Sequence, residues 1–242
     1  MNLKLSELKF VKNRAEIAEI RPGKVLINTI NAHSYNTAQK DTLFAESLKK
    51  CDVLLPDGVS IILACKMLSM KERPEQRCPG WDLFETDMNK LNKTGGKVMF
   101  MGSSEHVLGL IRERVFLDYP NLEVETYSPP FKAEFSVEDS NAIIAAINRA
   151  KPDLLWIGMT APKQEKWIYS HWKDLDINCH AGSIGAVFDF YAGTVKRAPL
   201  SWQKLGLEWL HRLCSNPRKM WRRYLIGNPL FIWNVIREKF CD

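Results

Sequence analysis

No run of apolar residues in this sequence approaches the roughly 20 that a membrane-spanning helix needs, and its opening, MNLKLSELKF, mixes charges with apolar residues where a secretory leader would be continuously apolar. A cytoplasmic chain without a transmembrane segment is expected. The six cysteines (Cys51, Cys65, Cys78, Cys179, Cys214, Cys241) are scattered, with no C-x-x-C and no cysteine-histidine cluster at zinc spacing. That argues against a zinc module and for reduced packing residues. Neither G-x-G-x-x-G nor the Walker pattern occurs, so NAD and ATP binding are not indicated. Internal repeats and low-complexity tracts are absent as well, which removes solenoid and largely disordered architectures.

An excess of one charge is missing from most of the chain. Residues 1–196 hold 25 basic and 25 acidic side chains, so the net +6 comes from residues 197–242, with nine basic and three acidic. Such a segment calls for an anionic partner: nucleic acid, phosphate groups or a membrane surface.

What is present is enough to build a core. At 242 residues and 45% hydrophobic content, one domain, or one domain with an appendage, can fold. Short β-rich apolar runs recur at Val25-Ile30, Val53-Leu55, Val98-Met101, Leu122-Thr126, Leu154-Ile157 and Ile177-Ala181. Between them, Val107-Leu108-Ile111-Val115 and Ile143-Ile144-Ile147 carry helical spacing. Strands alternating with helices predict an α/β fold, a mainly parallel, Rossmann-like sheet with helices on both faces. The boundary falls near Arg197-Ala198-Pro199, giving an α/β catalytic domain over 1–196 and a basic, amphipathic helical appendage over 197–242. In that appendage Trp202, Leu205, Trp209 and Leu213 share one helical face, and Asn216-Pro217 and Asn228-Pro229 each open a helix.

Ligands of open α/β sheets sit beyond the carboxyl ends of the strands. Asp57, in LLPDGVS, follows the second strand there, and is either the capping aspartate of a Pro-Asp-Gly turn or an active-site carboxylate. Thr29 and Asn31 alternate at the end of the first strand; they either hold a sugar hydroxyl or phosphate, or cap a helix beginning near Asn36. His33 either titrates near neutral pH in that crevice or is simply a solvated loop histidine. Arg77 offers a planar fork to a diphosphate or carboxylate, with an ordinary surface ion pair as the alternative. Gly102-Ser103-Ser104 resembles a strand-to-helix phosphate turn. Pro162-Lys163-Gln164-Glu165 begins a helix, and Gln164 there either reads an amide or hydroxyl or is simply exposed. Asp174 and Asp176 have the spacing of a metal-binding pair, but they precede a strand and so stand at the wrong edge. Arg218, Lys219, Arg222 and Arg223 stack cations amid Trp221, Tyr224, Phe231 and Trp233, which suits a membrane interface or a lipid diphosphate as well as a packed helix with a solvated face.

These stretches together resemble the WecG/TagA/CpsF family of bacterial glycosyltransferases, glycosyltransferase family 26, from about Val25 to Arg223. The longest matching block runs GTVKRAPLSWQKLGLEWLHRL, Gly193 to Leu213, followed by Asn216-Pro217-Arg218 and Arg222-Arg223. Leu55-Pro56-Asp57-Gly58, Arg77-x-x-Gly80-x-Asp82 and Pro162-Lys163-Gln164-Glu165 match in the same order. The resemblance implies an inverting, metal-independent transferase moving a sugar, N-acetylmannosamine or another hexose, from a UDP-sugar to a sugar on a polyprenyl diphosphate in cell-surface polysaccharide synthesis. It implies no cofactor, a place at the inner face of the cell membrane, contact with the membrane surface through the appendage, and no nucleic-acid partner; a homo-oligomer is compatible with it. Asp57 becomes the catalytic base, and Thr29, Asn31, Arg77 and Gln164 line the donor-sugar pocket. Gly185 and Asp189 lie near uridine, and Arg212, Arg218, Arg222 and Arg223 approach the diphosphate. Thr160 and Ser183 stand where the family pattern leads one to expect glycine, which narrows those loops.

Two other classes make different demands. A nucleotide-dependent oxidoreductase needs a glycine fingerprint where this chain has Thr29-Ile30-Asn31-Ala32-His33. A non-catalytic nucleic-acid- or membrane-binding protein would use the basic tail alone, without calling on the polar loops at the sheet edge.

Overall fold

The protein is described from a computed structural model covering residues 1–240, with the side chains of Lys204 and Lys219 outside the description; Cys241 also lies outside the described residues. Six strands form one parallel sheet: β1 (Val25–Ile30), β2 (Val53–Pro56), β3 (Gly96–Gly102), β4 (Leu122–Tyr127), β5 (Leu154–Gly158) and β6 (His180–Ser183). Their spatial order is β2-β1-β6-β5-β3-β4, with every neighbouring pair parallel.

The helices are α1 (Arg14–Ala18), α2 (Ala32–Ala38), α3 (Thr42–Lys49), α4 (Val59–Met67), α5 (Gly80–Thr94), α6 (Glu105–Asp118), α7 (Val137–Ala150), α8 (Lys163–His171) and α9 (Val187–Tyr191). After them come α10 (Leu200–Lys204), α11 (Glu208–Ser215), α12 (Pro217–Trp221) and α13 (Gly227–Phe240). Capping side chains start several of them: Ser104 accepts from the Val107 amide ahead of α6, and Ser136 and Asp139 form a capping box at α7.

Alternation along the strands divides the core. Val98, Phe100, Leu154 and Trp156 pack on one face with Phe84, Ile111 and Phe188, whereas Met99, Met101, Leu155 and Ile157 pack on the other with Ile143, Ile147 and Ile168. Covered on both faces, β5 is buried throughout. A third cluster joins Leu3, Leu5, Tyr35, Phe44 and Ile61 to Phe231 and Val235 of α13.

The basic segment is therefore held against the rest of the chain. Glu238 of α13 accepts from the Leu5 and Ser6 amides, the Ser6 hydroxyl and the Tyr35 hydroxyl, and Asn36 of α2 donates to the Gly227 carbonyl at 2.7 Å.

Several expected boundaries shift. The sixth strand begins at His180 rather than Ile177: Ile177 and Cys179 are buried, but pairing with β1 starts at Val25 opposite His180. The first-strand loop enters its helix at Ala32, not near Asn36, because Asn31 itself accepts from the His33 and Ser34 amides. Trp202, Leu205, Trp209 and Leu213 do not share one helix, since Gly206, at φ +71°, turns the chain between α10 and α11. Asn216-Pro217 does open a helix, with proline in its first turn. Asn228-Pro229 does not, because α13 starts at Gly227 directly after a π-helical segment, Arg222–Ile226.

Candidate active site

The pairing of β1 with β2 sets the centre of the site. Ile30 is opposite Pro56, and the Asp57 amide donates to the Ile30 carbonyl at 2.8 Å. The residues that follow, Asn31 and Asp57, therefore leave the sheet side by side at its carboxyl edge. Gly58 has φ +152°, a conformation that side-chain-bearing residues rarely adopt, and from it the chain turns into α4. The Cys78 amide donates to the Pro56 carbonyl at 2.9 Å, which fastens the loop carrying Arg77 beside the same strand end.

Residues 205–235 roof this edge. A cavity of about 550 Å³ opens between them and the sheet, lined at its polar end by Asn31, His33, Asp57, Arg77, Arg212 and Arg223. Gly206 lies so close to α4 that a Cβ on it would come within 2.8 Å of the Val59 side chain.

Glu208 organises the cations. It is 13% exposed, its Oε2 takes Arg77 Nη1 at 3.2 Å, and its Oε1 takes Arg212 Nη2 at 3.0 Å with Arg197 Nε at 3.9 Å. Burial works to raise its pKa, but the charges of Arg212, Arg197 and Arg77 hold it below the ordinary glutamate value. Asp57 behaves oppositely. Burial, aided by Glu208, pushes its carboxyl above the ordinary range against the pull of Arg212, Arg77 and Arg223. Burial also drives His33 down to about 4, with Arg223 helping, so the ring is neutral at pH 7. Its sequence-level reading as a solvated histidine is corrected by that burial.

A half-buried carboxylate with a raised pKa and several arginines is equipped to take a proton from a hydroxyl and to hold an anionic group nearby.

The other expected site residues are distributed around this centre. Thr29 is half-buried beside Gly80 at the start of α5: a Cβ on Gly80 would meet Thr29 Cγ2 at 3.6 Å and Ile184 Cγ2 at 3.3 Å. Gln164 is 3% exposed, which corrects the reading of an exposed helix-start glutamine. Its Oε1 accepts from the Met159 amide and its Nε2 donates to Glu165. Gly185, at φ +46°, lies against it, since a Cβ there would be 3.5 Å from the Gln164 amide. Asp189 accepts from the Thr194 hydroxyl at 3.4 Å. None of these lines the cavity, nor do Arg218 and Arg222, whose side chains are exposed. Ser104 is spent on capping α6, and Ser103 O accepts from the Ser128 hydroxyl. Thr160 is exposed, while Ser183 ends β6 fully buried.

Asp174 and Asp176 stand before β6, at the opposite edge, where Asp174 faces His171 at 3.3 Å. Among the described residues no group of three or more His, Cys, Asp or Glu side chains is placed to hold a metal ion, and no helix is long and apolar enough to cross a membrane.

Sequence inspection passed over Glu208. The signal available was its spacing of four from Arg212; its meeting with Arg77, 131 residues away, exists only in the fold.

Comparison with known proteins identifies the family. The model of the family described as "Glycosyl transferase WecG/TagA/CpsF family" matches residues 1–242. An N-acetylglucosaminyldiphosphoundecaprenol N-acetyl-beta-D-mannosaminyltransferase of Bacillus spizizenii is 29% identical over 236 residues, covering 97% of this chain and 88% of that protein. The enzyme of the same name from Bacillus subtilis is 29% identical over 215 residues, 88% of this chain and 80% of its own. One from Staphylococcus aureus strain MW2 is 25% identical over 233 residues, 96% and 88%.

Proposed function

The chain belongs to the WecG/TagA/CpsF family of glycosyltransferases, and on that premise we propose that it moves an N-acetylmannosamine-type sugar, or another hexose, from a UDP donor to N-acetylglucosamine carried on a polyprenyl diphosphate. The observation that carries this reading is the placement of Asp57 on the cavity wall, facing Arg77, Arg212 and Arg223.

The reaction is a single displacement. The acceptor hydroxyl attacks the anomeric carbon while Asp57 takes its proton, the bond to the UDP oxygen breaks, and the configuration at that carbon inverts. Its raised pKa makes Asp57 a stronger base than an ordinary aspartate, and the neighbouring arginines favour its ionised form. The charge developing on the departing diphosphate is met by arginines already fixed in place by Glu208. In this reading the arginines do the work of a divalent cation, and no metal is required. Glu208 holds Arg77 and Arg212 in position while the pocket waits for a ligand.

Thr29, Gln164 and Gly185 shape the donor end from behind the cavity wall, with Gln164 fixing the loop at Met159. The basic segment brings the cavity to the inner face of the membrane, where the acceptor resides. Trp221, Leu225, Ile226 and Trp233 are its exposed apolar contacts, at 40%, 60%, 54% and 63%.

The test is a panel of UDP-sugars screened for thermal protection, followed by incubation of the protecting donor with polyprenyl-diphosphate N-acetylglucosamine. UDP release that depends on that acceptor is expected; protection by no UDP-sugar and no UDP release contradict the proposal.

A further inference from the structure

The cavity has two ends of opposite character. Asp57, Arg77, Arg212 and Arg223 occupy one, and from there the wall runs along α4 through Val59, Leu63 and Met67. Facing that row across the gap are Phe231, Ile232 and Val235 of α13. Spacing by four puts Val59, Leu63 and Met67 on one side of α4, and at 1.5 Å per residue the row is about 12 Å long. Leu63 and Ile232 are 60% and 54% exposed, so the groove opens to solvent along its outer side.

Uncovered aliphatic side chains beside a cationic pocket narrow the range of occupants. A nucleotide or a free sugar satisfies only the polar end. An amphiphile with an anionic head and a hydrocarbon tail satisfies both: its charge meets the arginines, and its chain removes the apolar row from water. The groove is also distinct from the surface offered to a membrane, because Trp233 and Ile236, exposed on α13, do not line it.

We infer that the groove between α4 and α13 receives the first isoprene units of a polyprenyl diphosphate, with the diphosphate against Arg223, whose Nε is buried without a hydrogen-bond partner among the described residues, and the chain along Leu63, Met67 and Ile232. The inference rests on the proposed acceptor and adds to it a protein-built track for the chain. A lipid lifted into that track arrives with its head at Asp57, so the chain registers the sugar for attack.

The experiment measures binding of inorganic, geranyl, farnesyl and geranylgeranyl diphosphate by calorimetry to the full-length protein and to Leu63→Gln/Met67→Gln. Leu63 is exposed, whereas Met67 is half-buried and packs against the core cluster of Ile61 and Phe231, so folding of the double variant is checked by circular dichroism and Leu63→Ala, confined to the exposed position, serves as a milder second variant. Affinity in the wild type is expected to rise about tenfold with each isoprene unit until the groove is filled. The double variant should bind inorganic diphosphate as the wild type does and lose most of the gradient, and Leu63→Ala should lose part of it. A flat series in the wild type, or an equal gradient in all three proteins, overturns the inference. So does a double variant whose loss is matched by weaker binding to vesicles, because the chain would then be held by the membrane face. Binding is read apart from transfer: a clear gradient in a protein that releases no UDP with any sugar acceptor refutes the proposed reaction and leaves the groove standing.

Discussion

Glu165 carries a charge problem whose size can be worked out. Its carboxyl is 1% exposed, Oε1 accepts from Gln164 Nε2 at 2.9 Å, and Oε2 is buried without a hydrogen-bond partner. Burial pushes its pKa from the ordinary 4.5 to about 7, with the Gln164 hydrogen bond only partly opposing. Between those two values the folded chain keeps a proton that the unfolded chain has released, so stability falls as pH rises through this window. At 1.36 kcal/mol per decade, the loss from this group amounts to about 3 kcal/mol by pH 8. Glu165→Gln keeps the shape and removes the ionisation, at a cost of about 1 kcal/mol for a buried amide with an unmet donor. The variant should therefore match or slightly trail the wild type at pH 4.5 and exceed it by about 2 kcal/mol at pH 8, which for a chain of this size is a Tm gain of about 4 to 8 °C. Thermal unfolding followed by circular dichroism across that range supplies the test. Parallel curves of stability against pH for the two proteins would refute the reasoning.

Three further outcomes follow from the same contacts. Arg212→Ala removes a cation that faces both Asp57 and Glu208, and should raise the KM for the UDP donor about tenfold or more in steady-state assays; an unchanged KM would take Arg212 out of the diphosphate site. Glu238→Ala withdraws the acceptor of four hydrogen bonds and leaves the buried Leu5 amide without its partner. Urea unfolding should show a loss of about 3 kcal/mol, with Glu238→Gln in between. Trp233→Ser combined with Ile236→Ser strips exposed apolar area from α13, and should weaken sedimentation with anionic vesicles while thermal stability stays near that of the wild type.

Much of the fold was legible because its strands announce themselves. Runs such as Leu154-Ile157 are continuously apolar since both faces of a parallel strand are buried, and five of the six sit where the sequence puts them. The sixth misled because Ile177 and Cys179 are buried in an approach loop, and burial alone does not distinguish a loop residue from a rung of the ladder.

At the site, Asp57 and Asn31 were visible as polar residues directly after apolar runs: Asn31 caps α2 and lines the cavity, and Asp57 lines the same cavity among the arginines. What local sequence hides is partnership over distance. Glu208 needs Arg77 to become a bridge, His33 needs its burial near Arg223 to become neutral, and Gln164 looks like an exposed helix start until Met159 and Gly185 close around it. The tail showed its charge but not its anchoring, because Glu238 reads as one more surface glutamate until Leu5, Ser6 and Tyr35 are brought to it.

The central claim is that Asp57 takes the proton from the attacking hydroxyl. Asp57→Asn preserves the size of the side chain and the turn, so the direct measurement is the transfer rate of this variant at saturating donor and acceptor, alongside its affinity for UDP. The account predicts a folded protein that binds UDP at least as well as the wild type and transfers sugar about a hundredfold more slowly or worse. Transfer at a near-normal rate by that folded variant would contradict it.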